Sequence, residues 1–338
     1  MDRNGSPPAA SDHQGAGAAI RRRADPAVAR DAAPAPGGGL RTRLVPLLAA
    51  LVLAAAALVA GEGLIGRIEE RTRADAVLRA EVGAGVVGRV VLRRREAVEV
   101  LHRLSQSWFL LREAGNAGGR DAIERQLTTT MESGSFGFIQ VAHIDRDGWM
   151  IWSTVSGYSR VFLGDREHFQ VHERGREQLF VSQPLLGRVS NRWTIQLTRP
   201  MRDAAGAFAG VVVVSMDLYS LSDALAELHL SQSDRALLWR DVTIVARSRD
   251  APGYINMEMP ETDPLRRGFQ RATHGAVERT DREGRANIAG WRSLAGTPLS
   301  ATYILDMAEL LSDLATTRAA VRAGAAGSAV FLLVVAGL

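Results

Sequence analysis

The chain has 338 residues, 46% hydrophobic and 23% charged, with 33 Gly, no Cys and all 41 basic residues arginine. That length fits one or two domains plus appendages, and the missing Cys and Lys exclude disulfides, thiolate metal sites, thiol nucleophiles, Walker A loops and Schiff bases. Of the net charge of +4, residues 1–43 supply +3, so the remaining 295 residues lack the basic face that nucleic acid requires.

Residues 1–43 are rich in Ala, Gly, Pro and Arg without an apolar period, and they read as a disordered cytoplasmic tail. Leu44 to Gly61 is an 18-residue run without a charge, and with its flanking turn it spans a ~30 Å hydrocarbon core. This predicts an uncleaved transmembrane helix over 44–64. A cleaved signal peptide would have far too long a leading region, and Leu58-Val59-Ala60 lacks the small residue usual at such a cleavage site. Six Arg in residues 21–43 face four in residues 62–82, where five acidic residues accompany them. That bias places the N-terminus inside and the following ~260 residues outside, in the periplasm of an inner-membrane protein.

From Leu64 to about Leu111 the text is helical, without Pro and with Leu101, Leu104, Trp108 and Leu111 at helical spacing. The run Arg93-Arg94-Arg95 within it is either a solvated helix face or an anion or phospholipid site. A shorter helix covers about 120–131, closing a helical region over 65–133. Strand-like runs then follow at 136–144, 149–155, 179–183, 193–198 and 208–216, and again at 235–239, 242–248, 276–279, 286–293 and 299–305. Three D-x-x-G tetrads, at 145–148, 203–206 and 281–284, separate strand pairs, where Asp can bond its own backbone and Gly can take positive φ. Short helices are expected over 165–174, 218–228 and 262–272. The fold class is α+β, with antiparallel clusters at 134–230 and 231–305. An exit helix over 306–322 runs into a second apolar run, 323–338, whose ~24 Å rise suggests a second transmembrane helix cut short. A short C-terminal anchor is the alternative.

Several residues suggest a site. Arg166 opens the helix at 165–174, either free for a ligand or paired with Asp165 or Glu167. His168 and His172 share a face of that helix, as pocket lining, as ordinary buried histidines or at metal-ligand spacing. On the strand at 193–198, Arg192 and Thr194 share one face and Trp193 and Ile195 the other; either face could line a pocket. Asp217 is a ligand group or the N-cap of the helix at Leu218. No nucleophile elbow, dinucleotide fingerprint, paired carboxylates or phosphate loop occurs in the chain, so no catalytic residue and no cofactor is predicted within it.

The segments Gly164–Phe169, Leu179–Ser182, Gly187–Leu197 and Gly206–Leu218 resemble, in order and spacing, the double-Cache (PDC, tandem PAS-like) extracytoplasmic sensor domain, across about residues 65–320. The resemblance implies two tandem PAS-like antiparallel-sheet subdomains on a long N-terminal helix, flanked by transmembrane helices. It also implies a small-ligand pocket in the membrane-distal subdomain. Arg166 matches the carboxylate-binding Arg of amino-acid sensors and Asp217 their last Asp, while His168-Phe169 stands for their aromatic pair. Phe180 and Ser182 stand where those sensors carry Tyr and Asp. With two ammonium-side groups replaced, an anion or a carboxylate without an amine is the expected ligand, held by a bidentate Arg. The resemblance further implies a homodimer and a cytoplasmic effector beyond Leu338, a diguanylate cyclase first and a histidine kinase second. A membrane-anchored binding or interaction protein without its own effector is the rival reading.

Overall fold

The computed structural model describes residues 41–133, 136–228 and 230–337. Nearly all of the expected tail therefore lies outside the described residues, except that residues 41–43 already belong to the first helix. The expected transmembrane and membrane-proximal helices are one element, α1 (Arg41–Glu113), 73 residues long. No Pro interrupts it after Pro46, so nothing in the backbone chemistry forces a break. Helix α2 (Ala117–Glu132) follows, its first turn capped by the Asn116 side chain, which accepts from the Gly119 N–H at 2.9 Å.

The distal module is built from β1 (Phe138–Asp145), β2 (Met150–Ser153), α3 (Glu167–Glu173), β3 (Phe180–Val181), β4 (Leu185–Leu186), β5 (Trp193–Arg202) and β6 (Phe208–Asp217). Its sheet is antiparallel in the order β2-β1-β6-β5-β3, with β4 also paired to β5. Alternation assigns the faces. Ile195, Leu197, Val212, Val214 and Met216 pack in one core with Val98, Leu101 and Trp108 of α1. Ala142, Ile144, Val211 and Val213 face the other way, against Phe169 of α3.

Helix α4 (Leu218–Ala226) leads into the proximal module: β7 (Arg235–Arg240), β8 (Thr243–Arg247), α5 (Pro264–Arg271), β9 (His274–Thr280), β10 (Ala286–Ser293) and β11 (Leu299–Asp306). Its antiparallel order is β8-β7-β11-β10-β9. One face lies on α1 so closely that a Cβ at Gly290 would sit 2.1 Å from the Ala80 carbonyl carbon. All three D-x-x-G tetrads form the tight turns the sequence predicts. Asp145, Asp203 and Asp281 each accept two backbone N–H groups, and Gly148, Gly206 and Gly284 have φ of 84°, 81° and 81°.

The arginine run of α1 is neither a free anion site nor simply a solvated face. Arg94 Nε donates to the Phe136 carbonyl (3.1 Å) and Arg95 Nη1 to the Ala295 carbonyl (2.7 Å), so adjacent residues tie α1 to the distal and proximal modules.

Strand β11 passes directly into α6 (Met307–Gly337), which returns along α1. A Cβ at Gly61 would lie 2.9 Å from that of Ala325, and ion pairs join Arg318 to Glu69 (2.6 Å) and Arg322 to Glu62 (2.9 Å). Both helices are long and apolar enough to cross a membrane, with windows of mean hydropathy 2.6 and 1.9. The apolar run of α1 turns bare side chains outward, Val52 at 68% and Val59 at 73% exposure. Such surface is costly in water and suited to lipid.

Candidate functional site

In the distal module the even-numbered side chains of β5 face α3, which settles the alternation that the sequence leaves open. Thr194 accepts from Gln196 Nε2 (2.8 Å), the Gln196 carbonyl oxygen accepts from Ser215 Oγ (2.6 Å), and Thr198 meets His172 Nε2 (2.9 Å). Trp193 packs with Ile195 on the α1 side. A cavity of about 30 Å³, room for one water or so, lies between this polar face and the start of α3. It is lined by Arg166, His168, Gln140, Gln196, Ser215 and the loop at Gly187–Val189.

Arg166 is the residue before α3, half-buried and without an ion pair among the described residues, because Asp165 is taken by Arg188 in a bidentate pair (2.8 and 2.7 Å). Burial, then the nearby Arg188 charge, lowers its affinity for its proton. His168 is buried, and desolvation followed by the Arg166 charge pushes its pKa down to about 3, so its ring is neutral. Its Nδ1 has no hydrogen-bond partner among the described residues. These two are the predicted site residues that the structure brings together on one cavity.

The others serve the frame around it. His172 is held neutral by burial, its Nδ1 donating to the Arg176 carbonyl (2.6 Å) and its Nε2 accepting from the Thr198 hydroxyl. Phe169 stacks edge-on with Phe208 at 5.9 Å. Phe180 lies between the Arg176 and Arg240 guanidiniums at 5.4 and 6.0 Å, at the junction of the modules, where Arg240 Nε also donates to the Val181 carbonyl. Ser182 bonds the Gln183 carbonyl and the Gln196 N–H. Asp217 is fully buried; it caps α4 by accepting from Ser220 N–H (2.7 Å) and pairs with the half-exposed Arg192 (2.8 Å).

A far larger cavity, about 460 Å³, opens in the proximal module on the sheet face opposite α1. Sequence reasoning missed it. The signal was an arginine on the inward phase of a strand: Arg235, Leu237 and Trp239 of β7 share one face and all line the cavity.

The sequence matches no protein-family model and no curated protein. Among solved structures, the extracellular domain of the histidine kinase rpHK1S-Z16 aligns with a TM-score of 0.61 at 17% identity, covering 71% of this chain and 98% of that one. The ligand-binding domain of the Campylobacter jejuni chemoreceptor Tlp3, solved with L-norvaline, aligns at 0.53 and 11% identity over 71% and 94%. That of the Pseudomonas fluorescens chemoreceptor CtaA, solved with L-isoleucine, aligns at 0.51 and 14% over 74% and 98%. The chain therefore has the fold of the Cache-type extracellular ligand-binding domains of histidine kinases and chemoreceptors, two sheet modules carried on one long helix.

Proposed function

We propose that the chain is the sensory region of an inner-membrane signalling protein, with the N-terminus in the cytoplasm and residues of about 65–320 in the periplasm. The observation that carries this reading is the pairing of α1 and α6. The folded part is held at both ends by continuous helices that pack together where their apolar segments begin. A simple anchor needs one such helix. Two in register can pass a displacement from the outer modules to a cytoplasmic effector, a diguanylate cyclase or a histidine kinase. The chemistry requires a ligand that binds one helix arrangement better than the other, since equal affinity shifts nothing.

In this reading the distal module takes a small anion or carboxylate. Arg166 supplies an unpaired guanidinium and His168 an open ring nitrogen, while Thr194, Ser182 and Asp217 fix the walls. The cavity must widen to admit such a ligand, by movement of α3 or the 187–192 loop. Dimerisation through α1 fits its exposed Leu78 and Val82, one turn apart at 61% and 59%. The test is thermal stabilisation of the membrane-reconstituted chain by a panel of small carboxylates and amines. A ligand at 100 times its Kd adds about 2.7 kcal/mol. Stabilisation by acetate or formate, too short to fill the larger proximal cavity, that survives unchanged in Arg166→Ala removes the distal assignment. A reporter joined near residue 30 that proves periplasmic removes the orientation.

A further inference from the structure

We propose that the proximal module holds a second ligand site, separate from the distal one, for a carboxylate with an apolar body and no amine. The cavity of about 460 Å³ lies within the size range of small-molecule sites. Its floor is the outer face of the proximal sheet. Leu237, Trp239, Ile244, Met259 and Ile304, all buried, supply an apolar wall.

Into this wall is set Arg247, only 4% exposed. Its guanidinium stacks 3.5 Å over the Tyr254 ring and makes no hydrogen bond or ion pair among the described residues, and its Nε is buried without a partner there. A cationic group so placed is largely withdrawn from water without a counter-ion, an arrangement that an arriving anion would stabilise. The Trp239 indole N–H, on the same wall, is likewise buried and unpartnered. With Arg235 Nε and Nη2 and Arg279 Nε also without hydrogen-bond partners among the described residues, the orphaned donors of the residues lining this cavity describe a receptor for an acceptor-rich, negatively charged group.

The carboxylates of the cavity argue against an amine. Asp263 is bound by Arg279 at 2.6 Å. Asp281 is bound by Arg285 (3.1 Å) and approached by Arg235 (3.5 Å). Glu283 is held by Arg285 (2.7 Å) and accepts from the Tyr254 hydroxyl. The two buried acids are thus already neutralised, the remaining lining acid, Glu258, is exposed, and among the described residues the buried cation of the cavity without a counter-ion is Arg247. An α-amino acid would have to leave its ammonium without a free carboxylate in the interior.

Occupancy could reach the membrane directly. Arg235, which lines the cavity, approaches Asp306 at 3.9 Å, and Asp306 caps α6 by accepting from Ala308 N–H at 2.8 Å. An anion that draws Arg235 towards the cavity weakens its hold on the residue that starts the outgoing helix.

The test uses the full chain in nanodiscs, titrated with 3-phenylpropionate, hexanoate, phenethylamine and norleucine while Trp fluorescence and calorimetric heat are read. The two carboxylates are expected to bind with Kd near or below about 1 mM, and the amine and the amino acid at least tenfold more weakly. Arg247→Met should weaken the carboxylates roughly ten- to hundred-fold, the range for loss of a charge-assisted bond. In an Arg166→Ala background, which removes the distal site, the fluorescence change that reports the proximal cavity should persist. Because Arg247 pairs with no acid, its replacement orphans nothing; Trp239→Phe serves as an independent check, since it should abolish the ligand-induced fluorescence change while Trp193→Phe keeps it. Absence of binding by either carboxylate, equal binding of the amine, or binding lost in Arg166→Ala but kept in Arg247→Met each overturns the proposal. The last outcome would instead support the distal site.

Discussion

His143 gives the sharpest test of the distal core. It is fully buried, its ring 4.3 Å from Trp108 and 4.8 Å from Trp152, and neither nitrogen has a hydrogen-bond partner among the described residues. Desolvation, with a smaller contribution from Arg112, pushes its pKa down to about 3. His102 is likewise lowered by burial to about 4, and His168 to about 3. The folded state therefore keeps these rings neutral while the unfolded chain takes up a proton on each below about pH 6.5. The unfolded state then binds more protons, so stability falls as pH drops from about 6.5 towards 3–4. Between pH 7.5 and 5 each such histidine costs about 2 kcal/mol, roughly 6 kcal/mol for the three together. Denaturant unfolding of the reconstituted chain at several pH values reads this slope. His143→Phe keeps the aromatic stack and removes two unpartnered nitrogens. It should cost less than about 1 kcal/mol at pH 7.5 and recover about 2 kcal/mol at pH 5. If the variant and the parent lose stability in parallel on acidification, the ring at 143 is not a neutral aromatic in the fold and the reasoning fails.

Gly290→Ala places a methyl 2.1 Å from the Ala80 backbone, so strand and helix must separate; we expect a loss of roughly 3 kcal/mol or more in urea unfolding, whereas Gly324→Ala, mid-helix and meeting nothing, should lose nothing and gain up to about 1 kcal/mol. Asp217→Ala should lower stability by about 1–2 kcal/mol through loss of the α4 cap, and Asp217→Asn by clearly less, because Asn still accepts from Ser220; equal losses would place the effect in the Arg192 pair instead. Gly61→Cys with Ala325→Cys, in a chain that has no other Cys, should cross-link within one chain on mild oxidation; exclusively intermolecular products would contradict the α1–α6 pairing.

The turns show what was legible. Each D-x-x-G tetrad carries its own instruction, an Asp that caps its following N–H groups and a Gly free to take positive φ, so local chemistry alone located three hairpins. The cap reading of Asp217 was equally local. The facing of β5 was not, because alternation defines two faces without saying which meets α1; that follows from pairing β5 to β6 and both to the helix. Arg94 and Arg95 looked like solvated charge, since the carbonyls they reach, Phe136 and Ala295, lie 42 and 200 positions away. The proximal cavity was least legible of all. Its wall draws on β7, β8, the 254–264 segment and the β9–β10 turn, and no short stretch of sequence announces a space between them.

The backbone contact between Ala80 and Gly290 also sets a fulcrum. With no Cβ on the strand side, α1 sits lower on the proximal sheet there than any side chain would allow. Thirty residues separate this point from Ala50 in the apolar segment, an arm of about 45 Å at 1.5 Å per residue. A swing of about 5° around it carries the membrane end sideways by about 4 Å, close to the ~5.4 Å of one helical turn. The opposite arm, from Ala80 to Glu113, is of similar length, so in a rigid α1 a displacement at its distal end would reappear at its apolar end reversed in direction and nearly undiminished. A single missing side chain at the crossing point would thus let shifts of a few degrees between packed elements become movements on the scale of a helix repeat.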